Sequence, residues 1–204
     1  MAELKTGLRG LLANPMLYVA LQRLMGTDKE CRSFVETYIK PSPGDSVLDV
    51  GCGPAELLRY MPDDLTYVGF DPNPAYIERA RMTFGDRGTF FAKYYERSDV
   101  ERLPSFDIAV LSAVLHHMNN EEAQHLFGLL RQSLKPGGRV VTLDNVFVPK
   151  QNPIARLLIA MDRGRNVRDP EGYRALARGY FDNIDGVVIF KAFPPYTYYV
   201  MLIS

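Results

Sequence analysis

Five short apolar runs separated by stretches of helical spacing constrain this chain more than any other feature. They fall at residues 46–50, 66–70, 89–92, 108–111 and 139–143. Each is too short for a helix, and the run at 108–111 is apolar throughout, as in a strand covered on both faces. Helical signals lie between them. Asn73 is placed to cap a helix whose first residue is Pro74 and whose apolar face carries Tyr76, Ile77 and Ala80. Ala123, Leu126, Phe127 and Leu130 mark another, with Lys135-Pro136-Gly137-Gly138 as its stop. Gly51-Cys52-Gly53-Pro54 ends the first strand and opens a helix expected to run to about Tyr60. Strands joined through helices imply right-handed crossovers and a parallel sheet.

The two ends depart from that alternation. Asn14, Pro15 and the apolar set Leu17, Ala20, Leu21, Leu24 and Met25 predict a first helix that Gly26 stops. Thr27 and Glu30 open a second, with Cys31, Phe34, Val35 and Tyr38 on one face. Residues 1–40 therefore read as an N-terminal helical cap. Residues 150–181 read as an inserted helical region covering the substrate, with Arg156, Arg163, Arg165, Arg168, Arg174 and Arg178 in it. Two β-rich runs, 186–193 and 197–203, close the chain with only Pro194-Pro195-Tyr196 between them. So short a link holds no crossover, so the two runs pair antiparallel. The expected fold is α/β: a doubly wound, Rossmann-like seven-stranded sheet, mostly parallel with an antiparallel C-terminal hairpin, in a single domain over residues 1–204.

Composition narrows the partners. Lysine plus arginine total 24 against 24 aspartates and glutamates in 204 residues, so the formal net charge is zero. A neutral chain lacks the electrostatic footprint of a nucleic-acid binder, and no nucleic-acid partner is expected. Cys31 and Cys52 are too few for a disulfide framework or a zinc cage. No apolar run approaches the roughly 18 residues of a membrane span, and no small-residue cleavage site follows the apolar N-terminal stretch. A cytoplasmic protein without a membrane span is the expectation.

The glycine-rich turn decides what the sheet can hold. A dinucleotide fingerprint needs small residues at all three positions of G-x-G-x-x-G, and here Gly51 and Gly53 fit but Glu56 takes the third. A pyrophosphate would meet a carboxylate where bare amides should stand. Asp49, ending the first strand, adds a second acid beside the turn. That pair suits a ligand bearing positive charge. S-adenosylmethionine carries an ammonium and a sulfonium and no phosphate.

The residues resemble the class I S-adenosylmethionine-dependent methyltransferases, in their small-molecule group. Val47-Leu48-Asp49-Val50-Gly51-Cys52-Gly53-Pro54-Ala55 is similar to their first motif, and Tyr67-Val68-Gly69-Phe70-Asp71 to the second. Residues 106–118, ending in Leu115-His116-His117-Met118, and Leu134-Lys135-Pro136-Gly137-Gly138-Arg139 are similar to the two that follow. The resemblance covers roughly residues 45–145. It implies cofactor contacts from Asp49, Gly51, Gly53, Asp71, Pro72 and Ser112, with Asp71 on the ribose hydroxyls. The family usually has a third glycine where Ala55 stands, and after strand three an acid on the adenine amino group. Here that stretch is Phe91-Ala92-Lys93-Tyr94-Tyr95-Glu96, without that acid, so adenine is to be held by stacking, with Tyr94 the candidate, or by a backbone contact.

The resemblance further implies methyl transfer by in-line displacement to a small-molecule acceptor. His116 and His117, expected to point to opposite sides of a strand end, are the catalytic candidates, one of them as acceptor of the substrate proton. Tyr18, Arg163, Arg168 and Tyr173 are candidates for the acceptor wall, and arginine forks there suit an anionic acceptor. Asp144-Asn145 is similar to the magnesium pair of catechol-type O-methyltransferases. Their further ligand would fall near Ser112, a poor donor to a hard cation, so no metal is expected. Two other readings stand beside this one: a catalytically degenerate methyltransferase-like binding domain, and a nucleotide-cofactor oxidoreductase.

Overall fold

The computed structural model describes residues 27–162 and 164–204. Helix α1 (Thr27–Phe34) runs into a π turn, Val35–Ile39, and buries Phe34, Val35 and Ile39. The first helix expected from Asn14 to Met25 lies outside the described residues. Strands β1 (Ser46–Val50), β2 (Thr66–Phe70) and β3 (Thr89–Phe91) follow, with helix α2 (Pro74–Phe84) between the second and third. As the sequence predicts, Asn73 caps α2, its Oδ1 accepting from the Ala75 amide at 3.0 Å, and Pro74 is its first residue. Next come α3 (Arg97–Arg102), β4 (Phe106–Ser112), α4 (Asn120–Ser133) and β5 (Leu134–Asn145). Helices α5 (Pro153–Ala160) and α6 (Pro170–Ala177) precede the closing strands β6 (Ile184–Lys191) and β7 (Tyr196–Ile203).

The seven strands form one sheet in the order β3-β2-β1-β4-β5-β7-β6. Pairs among β1 to β5 are parallel, whereas β7 runs antiparallel to both β5 and β6. The fold is the mixed, doubly wound sheet expected. Apolar residues of successive strands point to both faces. Leu48, Ala109, Val140 and Met201 pack against α4 and α6, while Val47, Ile108, Val141 and Val200 pack with α1 and α2. Strand order reverses between β1 and β4, and the crevice beyond their carboxyl ends is where open α/β sheets take ligands.

Four local expectations are corrected. The segment after the glycine-rich turn is a 3-10 turn, Glu56–Tyr60, because Ala55 enters it in the left-handed region (φ 59°), which does not seed an α-helix. Helix α3 escaped the periodicity because it is short and polar. Its capping box, with Glu96 and Asp99 each accepting the other's amide, was the available signal. Lys135-Pro136-Gly137-Gly138 does not lie between helix and strand. Leu134 already pairs with Phe106, residues 135–138 bulge outward, and pairing resumes at Ile108 with Arg139. The insertion is two eight-residue helices with an irregular segment between them, not one continuous helical stretch.

Candidate active site

At the carboxyl end of β1 the chain makes three left-handed residues within five positions: Gly51 (φ 78°), Gly53 (φ 55°) and Ala55 (φ 59°). Gly51 has a second reason to be glycine, since a Cβ there would overlap Cγ2 of Val114 in the loop after β4. The loops that follow β1 and β4 are thus in contact across the switch point. Ala55 tolerates its conformation as a fully buried residue, so the missing third glycine costs strain without closing the turn.

Two carboxylates flank this turn. Asp49 is buried, with the Tyr67 hydroxyl donating to Oδ2 at 2.6 Å and no hydrogen-bond partner for Oδ1 among the described residues. Burial raises its pKa to about 7 against the Tyr67 hydrogen bond, with the Asp71 charge a smaller push in the same direction. Asp71, just past β2, accepts the Gly53 amide on Oδ2 at 3.0 Å and the Asn73 amide on Oδ1 at 2.8 Å. It therefore ties the turn after β1 to the start of α2, and each oxygen retains an accepting lone pair. Pro72 beside it is exposed. Glu56 is less anionic in effect than its sequence position suggests, because Arg59 (3.4 Å) and Arg79 (3.6 Å) both pair with it. The negative character of the turn rests on Asp49 and Asp71. A cleft of about 370 Å³ lined by Asp28, Cys31, Pro54, Glu56, Tyr60, Tyr76 and Arg79 opens beside it.

Past β3, Lys93 stands in the stretch where the resemblance calls for an acid, and its ammonium pairs at 2.7 Å with Asp99, which is fully buried. Tyr94 is 71 % exposed and free to present a ring face, whereas Tyr95 is buried with its hydroxyl 2.6 Å from Ser133 Oγ.

The loop after β4 holds the two histidines. Ser112 ends the strand opposite Leu143, Ala113 turns the chain with φ 59°, and a 3-10 turn, Leu115–His117, follows. Because the chain is not a strand here, the two rings do not point to opposite sides. They lie side by side with centroids 4.1 Å apart. His116 is buried, and both its amide (3.1 Å) and its Nδ1 (2.7 Å) engage Oδ1 of Asp144, the residue before the end of β5. Burial raises the Asp144 pKa while the His116 contacts oppose the rise. His117 is exposed, and partial desolvation together with the His116 charge lowers its pKa below the ordinary imidazole value. It is therefore neutral and able to accept a proton at pH 7.

Sequence reasoning did not pair Asp144 with His116. The pairing follows from the strand register, which sets Ser112 opposite Leu143 and brings the loop after β4 past Asp144, and no local pattern in the sequence records it. Oδ1 of the Asp144 carboxylate is taken by the histidine while Oδ2 is buried without a hydrogen-bond partner among the described residues, and the Asn145 side-chain amide donates to Asp162 Oδ2 at 2.6 Å. Tyr196 also donates to Asp162 Oδ2, at 2.8 Å.

Two acceptor candidates are corrected. Tyr173 is buried, its hydroxyl donating to the Asn145 carbonyl at 2.8 Å, so it belongs to the core under the site and not to an acceptor wall. The Arg168 guanidinium donates to the Leu115, Met118 and Asn166 carbonyls and to Asn120 Oδ1. It offers no fork to an anion, and the expectation of an anionic acceptor loses that support. Tyr18 and Arg163 lie outside the described residues.

Comparison with known proteins agrees with this geometry. Residues 48–140 match the profile of a family described as a methyltransferase domain. An uncharacterized methyltransferase of Synechocystis is 27 % identical over 139 residues, covering 64 % of this chain and 63 % of that protein. An O-methyltransferase of Pyrenophora dematioidea is 28 % identical over 155 residues, covering 68 % and 57 %. The chain thus spans less than two thirds of the length of these relatives. The crystal structure of a SAM-dependent methyltransferase from Archaeoglobus fulgidus superposes with a TM-score of 0.71 at 15 % identity, covering 92 % of this chain and 99 % of that one, a likeness of fold. With the ordered motifs, the sheet order and the matched profile together, residues 48–140 form a methyltransferase domain, on a fold shared with S-adenosylmethionine-dependent methyltransferases.

Proposed function

We propose that this chain transfers the methyl group of S-adenosylmethionine to a small-molecule acceptor by in-line displacement. The observation that carries this reading is Asp49: a buried carboxylate with one oxygen unpartnered, beneath a turn of left-handed residues. An unsatisfied buried acceptor costs about 1–3 kcal/mol, a cost that a bound ammonium offsets and a phosphate worsens. The donor set therefore fits the cofactor. Asp49 would hold its ammonium, the backbone at Gly51 and Gly53 would allow its close approach, and the remaining lone pairs of Asp71 would take the ribose hydroxyls. Ser112 would flank it, and Tyr94 would offer its ring to adenine. The cofactor, when bound, supplies a methyl on a sulfonium, whose sulfur leaves as a neutral thioether.

The chain's own part in the chemistry is orientation and proton management. Positioning of two reactants supplies most of what such a displacement needs. His117, exposed and neutral, would accept the proton of an acceptor that arrives protonated. Asp144, accepting from His116 Nδ1, would fix that ring and through it the ring of His117. A small acceptor is favoured by zero net charge and by the name of the Pyrenophora relative as an O-methyltransferase. Incubation with tritium-labelled S-adenosylmethionine and panels of phenols, hydroxy acids and amines, beside RNA and protein fractions, tests this. Label in the small-molecule fraction supports the reading. Label confined to RNA or protein, or none at all from a chain that binds the cofactor, overturns it, and the last outcome favours a degenerate binding domain.

A further inference from the structure

Arg168 comes from the insertion and is half-buried, yet its guanidinium is turned onto the protein. Its five N–H donors are all spent: Nε on Asn120 Oδ1 (3.1 Å), Nη1 on the carbonyls of Leu115 (2.9 Å) and Asn166 (2.8 Å), Nη2 on the Met118 carbonyl (2.8 Å) and again on Asn120 Oδ1 (2.9 Å). Three of these acceptors belong to residues 115–120, some fifty positions earlier in the chain. None of the four acceptors is a carboxylate. The charge is delivered onto the carbonyls of Leu115 and Met118, which flank the 3-10 turn, the first of them already accepting the Met118 amide at 3.2 Å.

The backbone around Arg168 is anchored as well. Its carbonyl accepts the Phe147 amide at 3.1 Å beside a bridge between Val146 and Arg168, which fastens it to the end of β5. The Tyr173 ring lies 5.7 Å from the guanidinium carbon, and Asp169 caps α6 immediately after. Four residues earlier, Gly164 packs on His116 so closely that a Cβ would overlap the imidazole, and the Asn166 amide donates to the His116 carbonyl at 3.0 Å.

We propose that Arg168 is a positioning residue, clamping residues 115–120 so that the rings of His116 and His117 are held at the mouth of the site. The consequence for methyl transfer rests on the reading given above; the clamp itself rests on geometry alone. A lysine has three donors at a point and cannot span four acceptors laid out in the plane of a fork.

The test uses the full chain with three readouts that do not need the acceptor: hydrogen exchange of the peptide over residues 113–120, NMR titration of the three histidines (His116, His117, His125), and calorimetry with S-adenosylhomocysteine. The groups facing the His117 ring are His116, Asp144 and Asp162. In Arg168→Met, exchange over 115–118 should quicken at least tenfold, the His116 resonance should move, and the His117 midpoint should rise toward the ordinary imidazole value. His125 should not change, and affinity for S-adenosylhomocysteine should stay within about threefold. Arg168→Lys should recover part of the effect. Arg178→Met, which removes only a surface pair with Glu171, should show none of it. Should Arg168→Met fail to fold, Asn120→Ala removes the acceptor of two donors and should shift the same signals less. Unchanged exchange and unchanged histidine signals in the Met or Ala variants overturn the proposal. A wild-type chain that ignores S-adenosylhomocysteine defeats the functional reading, whereas the clamp still stands or falls on exchange and histidine titration.

Discussion

The loops after β1 and β4 face each other across the same crevice and are built on opposite principles. The first is shaped by backbone conformation: three left-handed residues, ties to the Phe70 carbonyl and to Asp71 at the end of β2, and a carboxylate left with an open oxygen. The second is held from outside, by Asp144 on His116, by Arg168 on residues 115–120 and by Gly164 against the imidazole. A turn made of its own residues presents unsatisfied groups that a ligand can complete. A loop fixed by remote partners has its backbone carbonyls and the His116 ring already bonded, and what it offers is the placement of the exposed His117 ring.

Substitutions rank by that contrast. Asp144→Ala should have the largest effect, about 3–5 kcal/mol of unfolding free energy by urea titration, because it strands a buried imidazole. A loss under about 1 kcal/mol would mean that the β4 loop does not lean on β5. Gly51→Ala should cost about 2–3 kcal/mol, combining an unfavourable φ with the overlap on Val114. Val114→Ala in the same chain should return part of it, and no recovery would put the whole cost on the dihedral.

Asp49→Asn should weaken S-adenosylhomocysteine about 10- to 100-fold, the loss of a charge-assisted bond, while making the free protein more stable above about pH 7. The sign follows from its pKa of about 7, raised above the unfolded value of 3.8. The folded state holds a proton between those values that the unfolded state has released. Stability from the neutral acid is complete below about pH 4 and is lost as pH rises from there through about 7, at about 1.4 kcal/mol per unit. The Asn variant should lack that slope in thermal melts between about pH 5 and 7. Least should be Tyr94→Ala: within about 0.5 kcal/mol in stability, as for an exposed site, with S-adenosylhomocysteine bound a few-fold more weakly if the ring covers adenine. Undiminished affinity would remove Tyr94 from the site.

The same contrast explains what the sequence disclosed. Every strand of the sheet follows from short apolar runs and their spacing, and the antiparallel end from a three-residue link. Gly51, Gly53 and Asp49 were legible because a backbone-determined turn writes itself in consecutive residues. The His116–Asp144 pair spans 28 residues and the Arg168 clamp about fifty, so neither leaves a local pattern. Arg168 and Tyr173 misled for that reason: their types suit a binding wall, and only the folded chain shows their polar atoms spent. Ala55 misled differently, since a left-handed alanine shortens the helix that periodicity predicts there.

Calorimetry of S-adenosylhomocysteine with the wild-type chain at about pH 6, in two buffers of different ionisation enthalpy, measures binding and proton release together. Micromolar affinity with up to one proton released per ligand, the release absent in Asp49→Asn, is the expected result, because a bound ammonium draws Asp49 into its ionised form. Absence of binding, or binding with the same proton count in both chains, would contradict the role assigned to the acid beneath the turn.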